Sequence, residues 1–444
     1  MRLPWTILLL VLLLVPAGIA TAGDFIPLPN FSSYEIPSTQ NPEIRAQWRE
    51  YLDTAALVAG LSLASYLAIK RRSRRGLFLL TIGSLVWFGF WRKGCICPIG
   101  AIQNVTLAAS DPNYIVPLTA VMFFILPLVF TLFFGRTFCA AVCPLGAVQE
   151  LVAIHPVQTP AWLDHALGLL AYVYLGAAVL FTATGTAFVI CRYDPFVGLF
   201  RVSASAEMLI LGACFLVVGV FVGRPYCRYL CPYGAILGLL SKVSKWHVKI
   251  PPDRCIQCRL CEESCPYGAI REPTVVLPIG QRRSARRRLA ALIFLLPILI
   301  ALGAVLGRNL EVPLARLHPT IRLAEIMRLE ETGKISFLNS DRNSLIHEVD
   351  AFRNTGRTVE DLYREASVLT GTFGIAGAWF GAWVGLVIGI KLIHLSIRRR
   401  RTDYEPDRAG CVACGRCFWY CPGEQALWKD EKCLVPALVP GEKL

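Results

Sequence analysis

Two short cysteine runs constrain this 444-residue chain more than any other feature. Cys255, Cys258, Cys261 and Cys265, followed by Pro266, are spaced as Cys411, Cys414, Cys417 and Cys421, followed by Pro422; both read C-x2-C-x2-C-x3-C-P. Three thiolates at this spacing hold one [4Fe-4S] cube, and the fourth reaches across to a second cube. Zinc sites also use C-x2-C pairs, but they close on four ligands and have no use for a three-plus-one spacing with a trailing proline. Cys411 follows Cys265 by 146 positions, so the chain must leave the cluster-binding unit and come back.

Composition says where it goes. With 55% hydrophobic and 17% charged residues, the chain falls in the membrane class. The net charge of +14 sits largely in arginine blocks beside apolar runs, as the positive-inside bias predicts, so nucleic acid is not expected as a partner. Residues 1–22 read as a signal peptide, with Arg2, an apolar run and Ala20-Thr21-Ala22, the alternative being an uncleaved anchor. Residues 23–50 then form an exported extended segment. Apolar runs at about 52–69, 76–91, 115–134, 166–189, 207–222, 289–307 and 372–395 give seven expected spans.

The expected fold is mainly α: a polytopic membrane helix bundle of about seven spans after a signal peptide, with a split bacterial-type 2[4Fe-4S] ferredoxin domain on the cytoplasmic face. A five-span core would occupy 51–240, the first ferredoxin half 241–284, the sixth span 285–307, an external helical cap 308–370, the seventh span 371–397, and the second half with the tail 398–444. The expected ligand sets cross over: Cys255, Cys258 and Cys261 with Cys421, and Cys411, Cys414 and Cys417 with Cys265.

A second repeat lies within the core. Gly135, Arg136, Phe138, Cys139, Cys143, Pro144, Gly146 and Ala147 match Gly223, Arg224, Tyr226, Cys227, Cys231, Pro232, Gly234 and Ala235, giving G-R-x-aromatic-C-x3-C-P-x-G-A twice. Four soft ligands at one membrane face suit a further iron-sulfur cluster, against the alternative of buried structural cysteine. A degenerate copy carries Cys95 and Cys97, and Cys191 follows the fourth span with Asp194 nearby. These three thiols are expected outside, where either a further cluster or a disulfide would account for them. His155, His165 and His394 lie near the inner face and are candidates to contact a quinone or a b-type haem, or are simply interfacial. His318 with Glu330 and Glu331 reads as a partner-facing group or a solvated charged face of the cap. Cys214 and Cys433 read as bystanders.

The C-x3-C-P pairs beside membrane spans, together with the two cluster runs, resemble the polyferredoxin membrane proteins of the NosR and NapH type. The resemblance covers roughly residues 50–430. It implies a bacterial inner-membrane protein that carries electrons between the quinone pool or a cytoplasmic donor and a periplasmic flavoprotein or reductase. NosR-like chains carry a large external flavin domain, and the segment 367–372 matches a flavin-attachment motif poorly, so any flavin is expected to come from a partner. Two other functional classes remain open: a copper reductase or assembly factor similar to the CcoG type, and a redox-sensing regulator.

Overall fold

A computed structural model describes residues 46–92, 98–112, 114–154, 156–201, 205–250, 255–274, 278–332, 343–397 and 399–425. The expected signal peptide, nearly all of the exported segment, Cys95, Cys97, His155 and Cys433 lie outside the described residues.

The described chain is mainly helical. Helix α1 spans Gln47–Lys70, and α2, Arg74–Ser84, continues through wider turns at Leu85–Trp91. Next come α3 (Pro98–Ser110), α4 (Leu118–Phe134), α5 (Thr137–Ala141), α6 (Pro144–Val152) and α7 (Ala161–Ala183). The second copy of the repeat follows α8 (Pro195–Arg201) and α9 (Ala206–Phe221), and consists of α10 (Pro225–Tyr229) and α11 (Pro232–Ser241). Four helices among the described residues are long and apolar enough to cross a membrane: α1, α7, Gly280–Asn309 and Val359–Ser396; α8 with α9 makes a fifth if that bent pair is one span.

The second and third expected spans differ from this set. Helix α4 has 17 residues, the lower edge of the ~17–25 with which a helix crosses a bilayer core. It stops because Gly135 takes a left-handed φ of 71° and returns its N–H to the Thr131 carbonyl. The next residues are already committed to the cysteine repeat. In both copies the second cysteine ends one turn and caps the next helix, whose first residue is proline, Pro144 or Pro232, as the fixed φ of proline favours. The central core forms around these turns, with Leu57 and Leu61 of α1 packed near Phe138, Leu145, Tyr233 and Leu237.

After the repeat the chain makes a short helix α12 (Leu260–Glu263) and strand β1 (Ile270–Arg271), then enters the long helix α13 (Ile279–Asn309). Helices α14 (Pro319–Glu331) and α15 (Asn343–Asn354) lead to α16 (Val359–Ser396). One continuous helix thus runs across the expected boundary at 371. The amphipathic turns from Val359 to Ala366 continue into the apolar span without a break, and Thr358 caps them by accepting from the Asp361 N–H. Ala324, Met327, Val349, Phe352 and Leu362 form a small core of their own at this end. His318 is buried there and its Nδ1 accepts from Thr320 N, while Glu330 pairs with Arg353 and Glu331 accepts from Tyr363.

Helices α13 and α16 meet along glycines. A Cβ placed on Gly381 would overlap the carbonyl oxygen of Gly303, and one on Gly307 would overlap that of Gly377. The backbones thus touch directly, the packing that small residues four apart permit in apolar surroundings. Trp383 ties this pair to the core by donating from Nε1 to the Tyr172 carbonyl of α7, 2.9 Å away. Beyond α16, strand β2 (Glu405–Pro406) pairs antiparallel with β1, with Ile270 opposite Pro406 and Arg271 opposite Glu405, and helix α17 (Arg416–Tyr420) follows. The two halves of the split unit are therefore joined by a strand ladder.

Candidate metal centres

Each cluster run folds as a tight loop followed by a short helix, α12 in the first and α17 in the second. The two loops have the same backbone. Gln257 and Ala413, each just before the second cysteine, take φ of 56° and 55°; Arg259 and Gly415, each just after it, take 64° and 78°. Three of these four residues are not glycine, and a left-handed conformation costs such residues about 1–2 kcal/mol each. Alternating left- and right-handed residues turn successive N–H groups inward, the concave nest that holds anions and iron-sulfur clusters. The loops are thus shaped for an anionic group with thiolate ligands, which is the fit a cube requires.

Sulfurs of the two runs lie within reach of one another's charge. Burial pushes the Cys261 thiol up to about 11, reinforced by Cys255 and Cys258 of its own run and by Cys421 of the other. Burial also pushes Cys417 well above the ordinary range, with Cys411, Cys414 and the distant Cys265 adding to it. Cys265 is raised by burial and then by Cys414, and it accepts from the Ala269 N–H at 3.4 Å. Such buried thiols give up their protons readily only to a metal. Among the described residues no three His, Cys, Asp or Glu side chains stand close enough together to hold a single metal ion.

Beneath this unit the two copies of the repeat come together. Cys139, Cys143, Cys227 and Cys231 line one cavity of about 390 Å³. Cys143 and Cys231 are buried, and Cys231 Sγ accepts from Gly234 N at 3.2 Å. Gln149 donates to Cys227 Sγ at 3.2 Å and accepts from Tyr226 N at 3.0 Å, so a residue of the first copy fixes the thiol of the second. Arg136 reaches the other way: one guanidinium nitrogen lies 3.8 Å from Cys139 Sγ, and another donates to the Ala409 carbonyl at 2.9 Å, two residues before Cys411. A single side chain therefore touches both the repeat and the second cluster loop.

The second motif arginine, Arg224, donates to the carbonyls of Cys139 and Ala140 and pairs with Glu150 at 3.0 Å. Glu150 is a hub. It also pairs with Arg74 at 2.5 Å and Arg416 at 3.1 Å, and accepts from the Tyr267 hydroxyl at 3.1 Å. Burial alone would raise this carboxyl, but Arg224, Arg74 and Arg416 outweigh it and hold it well below the carboxylate range. Arg74 in turn donates to the Cys414 carbonyl at 2.9 Å.

On the opposite side of the repeat, Cys191 is exposed, its N–H donates to Gln103 Oε1 at 3.3 Å, and a Cβ on Gly100 would come 3.2 Å from its sulfur. Asp194 does not point a free carboxylate at it: its oxygens accept from Phe196 N, Val197 N and the Tyr226 hydroxyl. Cys214 is exposed on α9. No disulfide forms among the described residues. His165, Lys391 and His394 also line the 390 Å³ cavity.

The residues that sequence reasoning passed over are Arg74, Gln149, Glu150 and Tyr267, along with the roles of the two motif arginines. One signal was present: a glutamine stands six positions after the proline-flanked cysteine both in Cys143…Gln149 and in Cys97…Gln103. Glu150 and Tyr267 carry no local signature.

Families described as "4Fe-4S binding domain" match residues 116–165 and 205–251, which contain the two repeat copies, and residues 248–271, which contain the first cluster run. The chain is 29% identical to an uncharacterized protein of Methanocaldococcus jannaschii over 41% of its length and 77% of that protein's. It is 33% identical to Protein NirI of Paracoccus denitrificans over 31% of its length, and 26% identical to Regulatory protein NosR of Stutzerimonas stutzeri over 45%. It spans only 22% and 29% of those two longer proteins. No solved structure matches the chain. In its cluster loops, its repeat and these relatives, the chain is similar to the NosR-like, ferredoxin-type 4Fe-4S proteins.

Proposed function

We propose that this protein relays electrons across or along a membrane, between a quinol or cytoplasmic donor and a periplasmic acceptor. The reading rests on one observation: two cluster loops of matched backbone pack beside a second four-cysteine group, and Arg136 touches both that group and the second loop. Cys255, Cys258, Cys261 and Cys421 would hold one [4Fe-4S] cluster, and Cys411, Cys414, Cys417 and Cys265 the other. Cys139, Cys143, Cys227 and Cys231 would hold a further iron-sulfur centre. When bound, these groups supply one-electron chemistry. The chain's own residues supply the thiolates, the inward N–H groups of Gln257 to Arg259 and Ala413 to Gly415, and the guanidinium of Arg136, which offsets negative charge between the two levels. Cys95, Cys97 and Cys191 are candidates for a centre on the opposite side. The membrane spans, the ferredoxin unit on the cytoplasmic face and the cap outside complete the arrangement that we infer.

Iron and acid-labile sulfide analysis of anaerobically purified protein tests it. Cys258→Ala and Cys414→Ala should each lose iron and the low-potential EPR signal. Cys143→Ala and Cys231→Ala should lose iron beyond the two cubes, keep the ferredoxin signal, and stop electron transfer. Full iron content in Cys258→Ala and Cys414→Ala would remove the cluster reading, and full iron with full transfer in the other pair would make the repeat cysteines packing residues.

A further inference from the structure

Where α16 ends and the chain turns toward β2, a second cleft of about 540 Å³ opens beside the ferredoxin unit. Six cations line it: Lys242, Lys249, Arg271, Arg399, Arg401 and Arg408. Only two carboxylates, Glu405 and Asp407, stand against them. Among the described residues the sole ion pair within this set is Arg271 with Asp407, at 3.8 Å. Arg408 directs its Nη1 at the carbonyls of Lys242 and Ser244, 3.2 and 3.5 Å away, which does not cancel its charge.

The surplus is felt locally. His247, in the same wall, is held down at about 4 by burial and by the fields of Arg408 and Lys249, and its buried Nδ1 has no hydrogen-bond partner. Concentrating six cations around one half-enclosed space, with only two carboxylates against them, is unfavourable unless an anion completes the set.

What kind of anion follows from the surroundings. The cleft shares His165, His394, Lys242, Arg271 and Asp407 with the 390 Å³ cavity, so the two spaces adjoin. The wall that α16 gives to that cavity is apolar over Trp383, Leu386, Val387 and Ile390. Helix α16 is also a candidate membrane span, and the cleft lies at its C-terminal end, the level at which a spanning helix meets headgroups. A soluble phosphate would use the basic end alone, whereas an amphiphile uses both. Basic pockets at the ends of membrane helices are suited to acidic headgroups.

We propose that this cleft binds the phosphate headgroup of an anionic phospholipid, with an acyl chain along the apolar face of α16, and that the lipid seats the ferredoxin unit on the bilayer. The headgroup cleft lies outside both cluster loops and is lined by no cysteine, while the apolar wall belongs to the cavity that Cys139, Cys143, Cys227 and Cys231 also line. Lys249 and Arg401 are the residues to test, because both are solvent-facing or half-buried and the bonds they are seen to make, to Arg72 and to Thr274, use backbone atoms.

The experiment uses the full-length protein, detergent-washed and then incubated with vesicles of phosphatidylglycerol or of phosphatidylcholine, followed by quantification of retained lipid by mass spectrometry. Wild-type protein should retain phosphatidylglycerol selectively. Lys249→Gln with Arg401→Gln should weaken that retention on the order of thirtyfold at unchanged iron content, while Lys249→Arg with Arg401→Lys restores it. Equal retention of the two lipids by wild-type protein would overturn the proposal. So would displacement of phosphatidylglycerol by millimolar inorganic phosphate, since that would mean a soluble phosphate site.

Discussion

Glu150 shows how much of this molecule converges on one atom group. Its two oxygens meet Arg74 at the start of α2, Arg224 of the second repeat copy, Arg416 of the second cluster run and Tyr267 after the first. Glu150→Gln keeps the shape but leaves three guanidiniums, one of them fully buried, without their counter-charge; removing one partner of a buried ionic set costs about 3–5 kcal/mol. The expected result is a clear fall in Tm with the thiol ligands intact, and an unchanged Tm would show that the arginines find other partners. The folded carboxyl is held below its unfolded value of 4.5, so its contribution is present above that pH and is lost as the pH falls through the folded value. Nothing in the sequence announces this residue. The cysteines were legible because their spacing is itself the chemistry, whereas the meaning of Glu150 depends on partners 74 to 266 positions away.

At the scale of elements, the long helices α13 and α16 were legible from their apolar length, but their mode of contact was not inferred from it. The signal was available in Gly377, Gly381, Gly385 and Gly389, spaced by four. Gly381→Ala should force α13 and α16 apart, at a cost of about 1–3 kcal/mol or more, because the new methyl meets the Gly303 backbone. Gly371→Ala, on the same helix with open space around it, is the matched control and should change little. Thermal denaturation followed by iron release compares the two; equal behaviour would mean that the helices can slide past the added methyl. The expected second and third spans end where their helices end, at Trp91 and Phe134, but hydropathy alone does not say whether an apolar helix this short crosses a membrane.

For the whole molecule, the arrangement of spans predicts that the chain after α16 and the segment between α15 and α16 lie on opposite sides of the membrane. Reporter fusions after Arg401 and after Gly356 should give opposite signals, and matching signals would break the inferred topology. The crossing pattern was legible only in outline, since arginine blocks mark a side but not the number of passages. The β1–β2 ladder carries a further consequence. Ile270 and Pro406 pair across 136 positions, yet loop-closure entropy rises only logarithmically with loop length, and the packed α13 and α16 bring the two ends of that loop together. Each cluster half therefore encounters the other at a high effective concentration, set by the hairpin rather than by the length of chain. The segment beyond the hairpin's far end is then free to lengthen or shorten without diluting the two halves, and two separately made halves that each carry one helix of the hairpin should still assemble in the same membrane.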